Sequence, residues 1–198
     1  AAIFVIISLV APSLYYGTVK ASESSLPGDG LYGAKRYAEK IQVTLIGLVG
    51  DNKSVTKFHV ELAMRRADET RQIVNDPRKV SNVASTVADL RSEIVTIGDK
   101  LNQNDGVLAA DVAKDIKYNT DQIKEVLQNA KDNMLSASVD GTDTLASDMK
   151  SAKDLAQDVS TKAVEVMVTK HLEGDTSVSK DEVKEAINSM VKNNIDNL

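Results

Sequence analysis

The sequence has no cysteine and no tryptophan, and only 4% of its 198 residues are aromatic. Without cysteine there is no disulfide, no thiolate ligand for a metal and no cysteine nucleophile. With so few aromatic rings, a platform for stacking nucleobases or an aromatic cage for a cation is hard to assemble. These shortages argue against several classes of binding protein at once.

The sequence also lacks a basic cluster, and its formal net charge is -5. The densest basic groups are Lys35-Arg36 and Arg65-Arg66, and each has acidic neighbours on the same predicted helix. Such mixed charges are typical of solvated helix faces or of ion pairs. We therefore expect no nucleic-acid partner.

A strongly apolar run without any charge occupies residues 1–16, and the first charged residue is Lys20. A run of this length is typical of a secretory signal peptide or of a membrane anchor, and Ala21 fits a cleavage site. The alternative, a buried core helix, would have to be hydrophobic on every side. We interpret residues 1–21 as a signal peptide or membrane anchor, which places residues 22–198 outside the cytoplasm.

The rest of the chain repeats its apolar residues at spacings of three and four and shows no strand-like alternation. This pattern predicts an all-α fold, an up-and-down antiparallel bundle of about six helices joined by short loops. Residues 22–29 are predicted to be a tether and turn, and residues 30–198 the helical bundle. A subdivision into a hairpin (30–75) and a longer bundle (76–198) stays open, as does a coiled coil between chains.

Several local patterns give the predicted helices their ends and faces. Asp29 is predicted to cap the first helix, Asp76 and Pro77 to start the third, and Ser179 with Glu182 to form a capping box for the sixth. A buried Asn119 is expected to fix the register of the fourth helix. The first helix has an apolar stripe of Leu31, Ala34, Ala38, Ile41, Leu45 and Leu48. The third has the clearest heptad pattern: Val80, Val83, Val87, Leu90, Ile94, Ile97 and Leu101.

The sequence contains no recognisable catalytic or metal-binding motif. It has no glycine-rich phosphate loop, no nucleophile elbow and no His-Glu-x-x-His pattern. Its two histidines, His59 and His171, lack ligand partners at helical spacing and are expected on helix surfaces. We therefore predict no catalytic, cofactor-binding or metal-binding residues, no cofactor and no enzymatic activity.

One stretch supports a family resemblance. Its elements are Leu26-Pro27-Gly28-Asp29, Leu31-Tyr32 and Lys35-Arg36, followed by Leu62-Ala63 with Arg66 and Glu69. In this order and spacing, residues 26–75 resemble the bacterial domain of unknown function family 5667. The resemblance implies a helical domain outside the bacterial cytoplasm, sometimes attached to membrane-bound regulators, and it implies no established activity.

Two functional hypotheses follow. The first is a non-catalytic extracytoplasmic interaction or scaffold module of the bacterial envelope, with a protein partner or self-association, and with membrane contact through the N-terminal segment if that stays uncleaved. The alternative is a sensor or binding bundle for a metal or small ligand, around His59 or Asn119. We expect the following residues to act as structural determinants: Pro27, Gly28, Asp29, Leu31, Tyr32, Lys35 and Arg66. In this hypothesis Tyr32 and Lys35 dock on the second helix, and Lys35 or Arg36 meets Glu69.

Overall fold

The computed structural model describes residues 22–103, 108–136 and 142–195, and within these ranges the only regular structure is helical. The predicted all-α class with six helices is confirmed for this part of the chain. The helices are α1 (Tyr32–Val49), α2 (Asn52–Ile73), α3 (Val83–Gln103), α4 (Ala110–Ser136), α5 (Thr142–Leu172) and α6 (Lys180–Ile195), with a 3-10 turn at Val80–Asn82. The predicted signal peptide or anchor lies outside the described residues. None of the described helices is both long and apolar enough to span a membrane.

Helices α2 to α5 form a four-helix bundle made of two antiparallel hairpins, α2–α3 and α4–α5. Lys53 Nζ lies 2.6 Å from Asp111 Oδ2, and Lys57 Nζ lies 2.7 Å from Asp115 Oδ2. Because these pairs advance in the same direction along both helices, α2 runs parallel to α4. Helix α5 lies beside α3, so the order around the bundle is α2, α3, α5, α4. Consecutive helices are antiparallel as predicted, while the neighbours that join the two hairpins are parallel.

The predicted heptad of α3 forms the centre of the bundle. Six of its seven residues are at most 1% exposed, and Val80, in the 3-10 turn, packs at the edge of the core. From α2, the same core takes Val60, Ala63 and Ala67. Full burial of each large apolar side chain stabilises the fold by about 1.5–3 kcal/mol. Helix α2 therefore shares one continuous core with the helices that follow Pro77.

Helix α6 packs on α5 over a second, smaller apolar cluster that includes Met167, Val178 and Val183. The Ser179 amide donates a hydrogen bond to Glu182 Oε2 at 2.7 Å. The Glu182 amide donates in return to Ser179 Oγ at 3.3 Å. The predicted capping box is confirmed, and it starts α6 directly over its apolar cluster.

The predicted start of α3 at Pro77 is wrong. Asp76 Oδ1 accepts a hydrogen bond from the Arg78 amide at 3.0 Å, and the Asp76 carbonyl accepts from the amides of Lys79 and Val80. Because the side chain and the carbonyl of Asp76 both close this turn, the chain passes through the 3-10 turn before α3 begins at Val83.

The predicted role of Asn119 in fixing the register is also wrong. The inward position of this turn of α4 belongs to Thr120, which is fully buried and donates from Oγ1 to the Ile116 carbonyl at 2.8 Å. Asn119 is half-buried, and its side chain donates to the Asp115 carbonyl at 2.7 Å. A step of three or of four residues after Ile116 fits a helical stripe equally well, and packing selects the step of four.

Candidate functional site

Helix α1 is attached to α2 mainly through charged side chains. The buried residues of α1 are Lys35, Ala38 and Glu39. Of the apolar stripe predicted for α1, only Ala38 is buried, while Leu45 and Leu48 are 54% and 76% exposed. The face of α1 that packs on the bundle is therefore a charged face, and most of the apolar stripe lies elsewhere.

Arg66 of α2 is the centre of this interface, and it is fully buried. Its Nη2 donates to both carboxylate oxygens of Glu39 on α1, and its Nη1 donates to Glu69 Oε2 one turn along α2. Lys35 Nζ lies 2.6 Å from Glu69 Oε1. The buried charges are two cations and two anions, so the cost of removing each from water is offset by a partner of opposite sign. We call Tyr32, Lys35, Glu39, Arg66 and Glu69 the buried charge cluster.

Tyr32 completes the buried charge cluster from the first turn of α1. Its hydroxyl accepts a hydrogen bond from Arg66 Nη1 and donates one to Glu69 Oε2 at 2.9 Å. Its ring centroid lies 5.9 Å from Lys35 Nζ and 5.8 Å from Arg66 Cζ, within cation–π range of both. Burial raises the pKa of Tyr32 far above its ordinary value, and the neighbouring Glu69 carboxylate raises it further against the opposing effect of Arg66. The phenol therefore stays protonated and keeps its donated hydrogen bond.

The predicted docking of Tyr32 and Lys35 on the second helix, with Lys35 meeting Glu69, is confirmed. Arg36 takes different partners, since its Nη1 lies 3.2 Å from Glu39 and its Nη2 lies 2.8 Å from Asp89 of α3. Of the two alternatives given for the mixed charges, ion pairs are present. The other alternative, a solvated helix face, does not apply to Lys35, which is buried.

Sequence reasoning missed Glu39, which binds the Arg66 guanidinium at the middle of the interface. Its spacing was an available signal, because Lys35 and Glu39 are four residues apart and therefore share one helix face. Arg66 and Glu69, three residues apart on α2, form the complementary pair. Two short charged stripes of this kind can pair across a helix interface as well as face solvent.

The Pro27 turn docks against the loop that precedes α3. Gly28 has a φ of +95°, and a Cβ there would lie 3.0 Å from Asn82 Nδ2. The predicted cap by Asp29 is wrong, because its Oδ2 accepts from the Leu26 amide at 2.7 Å and its Oδ1 lies 2.6 Å from Lys79 Nζ. The Asp29 carboxylate thus closes its own turn and fixes that turn to the bundle.

The residues before this turn run back along α1. Lys35 Nζ donates to the Ser25 carbonyl at 3.1 Å, and both Ser22 and Ser25 are buried. Ser22 and Glu23 line a cleft that is also lined by Ala38 and Gln42 of α1. Followed backwards from Ser25, the chain therefore leads towards the C-terminal half of α1.

That half of α1 presents an exposed apolar surface. Residues 41–49 contain no charged side chain, and six of the nine are aliphatic. Within the described parts of the chain, ten large hydrophobic side chains are exposed, and α1 with its N-cap supplies half of them: Leu31, Tyr37, Leu45, Leu48 and Val49. Val49 is 88% exposed. We call Tyr37, Ile41, Leu45, Leu48 and Val49 the α1 apolar surface.

The histidines and clefts do not combine into a ligand site. His59 Nδ1 lies 2.8 Å from Glu93 Oε2 of α3, and His171 Nδ1 lies 3.1 Å from the Val178 carbonyl. In residues 22–103, 108–136 and 142–195, no three potential metal-ligating side chains come together. His59 is half-buried at the α2–α3 edge, whereas Asn119 bonds to its own helix. His59 and Asn119, the two residues proposed for a sensor site, therefore each have a hydrogen-bond partner of their own.

No family model matches the chain, and no curated protein or solved structure matches it either. The resemblance to family 5667 stays a prediction that rests on residues 26–75. Several of the residues that support it also attach α1 and its preceding turn to the bundle: Gly28, Asp29, Tyr32, Lys35, Arg66 and Glu69.

Proposed function

We propose that this chain is a non-catalytic, extracytoplasmic interaction or scaffold module of the bacterial envelope. The observation that carries the proposal is the α1 apolar surface, held on a well-packed bundle. Contiguous exposed apolar patches on a soluble domain mark sites of interaction with a partner or a membrane.

The attachment of α1 supports this role. The buried charge cluster holds the first two turns of α1 against α2, and Arg36 reaches Asp89 of α3. Ion pairs and hydrogen bonds of fixed geometry define one position for the helix. The uncharged second half of α1 then extends from this fixed base with Leu45, Leu48 and Val49 exposed, as a rigid presenting element requires.

The extracytoplasmic location rests on the apolar run at residues 1–16, interpreted as part of a signal peptide or anchor. The resemblance to family 5667 supports the same location. The sensor alternative has less support, because His59 and Asn119 each have a partner of their own and converge on no common cavity among the described residues.

The test uses the absence of native cysteine. A single Leu48→Cys substitution in the full chain carries a photo-crosslinker, and Leu172→Cys, at a site that is 81% exposed on α5, is the matched control. We expect envelope preparations to give adducts from position 48, whether with a protein, a second copy or a lipid, at much higher yield than from position 172. Equal yields from both positions would mean that α1 is no dedicated surface and would contradict the proposal.

A further inference from the structure

We propose that the partner of the α1 apolar surface is a lipid membrane, on which α1 lies lengthwise. This inference rests on the proposed function and names the partner of the same surface. Four observations carry it: the distribution of apolar residues around α1, the residues that flank them, the direction of residues 22–25, and the small size of the stripe.

The first observation is that residues 41–49 of α1 carry apolar side chains on more than one side of the helix, with Gln42 and Thr44 as polar exceptions. Tyr37, Ile41, Leu45 and Leu48 follow one another at steps of four, four and three, on a side of the helix that differs from that of Lys35 and Glu39. Val49 lies beside Leu45 and is exposed, while Val43 and Ile46 lie on other sides of the helix and are half-buried. An amphipathic surface helix carries its apolar residues in one stripe that faces the core, so six aliphatic residues in nine make this segment more apolar than such a helix.

The second observation concerns the residues at the boundary of this segment. Tyr37 is 61% exposed, and Lys40 is exposed one turn later. A tyrosine ring and a lysine with a long aliphatic stem are the side chains that suit the boundary between lipid and water. Residues 41–49 extend about 14 Å as a helix, far short of the roughly 30 Å of a bilayer core, so α1 lies in the interface and does not span it.

The third observation is the direction of the chain before the Pro27 turn. Ser22 shares a cleft with Gln42, next to the start of the apolar segment. In the sequence, five residues separate Ser22 from the uncharged apolar run at residues 1–16. A sequence suited to lipid is therefore joined to the chain beside the apolar, exposed end of α1.

The fourth observation favours lipid over a second copy of the chain. A stable protein interface buries about 800 Å² on each partner, whereas the α1 apolar surface amounts to four exposed side chains and the half-buried Ile41 along one helix. A protein partner placed on that surface also leaves the half-buried Val43, on another side of α1, in contact with water. A deformable lipid surface covers several sides of the helix at once.

The experiment measures the depth of spin labels on the full chain, with residues 1–21 present. Leu45→Cys and Leu48→Cys report on α1, while Val191→Cys on α6 and Leu172→Cys on α5 are controls at exposed apolar sites. The probe is vesicles of phosphatidylethanolamine and phosphatidylglycerol. We expect vesicle binding to remove access of aqueous nickel reagent to labels 45 and 48 and to increase their access to oxygen. Labels 172 and 191 should keep their nickel access.

Two results would overturn the inference. If the chain binds vesicles while labels 45 and 48 stay as accessible to nickel as in solution, then residues 1–21 alone hold the chain and α1 does not touch lipid. If those labels become protected without lipid, in a species of twice the chain mass, the partner is a second copy. Either result leaves the proposed interaction module intact when position 48 still crosslinks in the envelope. Loss of that crosslink as well would remove both proposals.

Discussion

Helices α1 and α3 carry similar apolar stripes, and the structure uses them in opposite ways. In α3 the residues from Val83 to Leu101 that form the stripe are at most 1% exposed. In α1 only Ala38 of the corresponding stripe is buried, half of the stripe is exposed, and Lys35 and Glu39 are buried instead. A periodic stripe therefore predicts a helix well but does not by itself predict which face of that helix is covered.

The partner helix explains the difference. Helix α3 lies between α2 and α5, which offer it apolar residues. Helix α1 packs on a stripe of α2 that contains Arg66 and Glu69. Covering Arg66 with a leucine would gain about 1.5–3 kcal/mol of apolar burial but leave a buried guanidinium unpaired, at a cost of about 3–5 kcal/mol. Because the unpaired charge costs more than the apolar burial gains, the complementary charges of α1 face inwards.

The largest expected effect comes from removing the centre of the buried charge cluster. Arg66→Met leaves Glu39 and Glu69 buried with fewer partners, which we expect to destabilise the docked state of α1 by about 3–5 kcal/mol. Hydrogen exchange measured amide by amide should show α1 losing protection while α3 keeps its own. Arg71→Met, a change at an exposed ion pair of the same helix, should cost less than about 0.5 kcal/mol. Similar losses in both variants would mean that α1 is held by something other than the cluster.

The next effect compares the two stripes directly. Ile94→Ala removes a fully buried side chain of α3 and should lower the free energy of unfolding by about 2–5 kcal/mol in urea denaturation. Leu48→Ala on α1 should change it by less than about 0.5 kcal/mol, since that side chain is already exposed. A comparable loss in Leu48→Ala would show that the bundle itself covers the α1 apolar surface in solution.

A smaller effect is expected at the turn that positions the start of α1. Gly28→Ala places a Cβ at a φ of +95° and against Asn82, which we expect to cost about 1–2 kcal/mol in thermal or urea unfolding. Gly33→Ala is the control, because a Cβ within helix α1 at this position meets no atom within 4 Å. Alanine there should stabilise the helix by up to about 1 kcal/mol. If both substitutions lowered the free energy of unfolding, or both raised it, the role assigned to the turn would be contradicted.

The smallest effect concerns α6, a second peripheral helix, which combines an apolar cluster with the exposed ion pair between Lys114 and Glu182. Hydrogen bonds from the Ala110 amide and from Ser177 lower the pKa of Asp175 from 3.8 to about 2. Bonds from Lys114 and Ser179 lower the pKa of Glu182 from 4.5 to about 2. Because both carboxyl groups have a lower pKa in the folded state than in the unfolded state, their ionised forms stabilise the folded state above pH 4.5. This stabilisation is lost as the pH falls towards 2.

We therefore expect hydrogen exchange in α6 to speed up below pH 4.5, relative to the intrinsic rate, before α3 is affected. In an Asp175→Asn, Glu182→Gln variant this pH dependence should be nearly flat. If the variant retained the full pH dependence, other groups would have to be responsible for it.

Much of the fold follows from local pattern. The heptad of α3 and the capping box at Ser179 each use residues within a few positions of one another, so their geometry is fixed by the helix itself. The pairing of Lys35 with Glu69 was also predictable, because both residues belong to short charged stripes on consecutive helices. In these cases one sequence pattern corresponds to one structure.

The failed predictions share a different cause. Asp29, Asp76 and Asn119 are polar residues with several hydrogen-bonding choices of similar energy, and the sequence alone does not show which choice is made. Asp76 closes a local turn with the amides of Arg78, Lys79 and Val80 in place of a helix cap. Asp29 takes Lys79, which is 50 positions away in the sequence, and Asn119 gives way to Thr120 because packing selects a step of four after Ile116. The α1 apolar surface was visible as a stripe, but its exposure depends on Arg66 of another helix.

The hydrogen bond from the Ala110 amide to Asp175 Oδ2, at 2.8 Å, has a consequence for the order of events during synthesis. The first turn of α4 obtains this partner only from a residue that is 65 positions later in the chain. A nascent chain that has reached α5 but not the following loop has an incomplete start to α4, and the loop that seats α6 completes it. A segment made after α5 thus finishes a helix that began long before it, so the start of α4 gains its full set of hydrogen bonds only after the loop before α6 has been made.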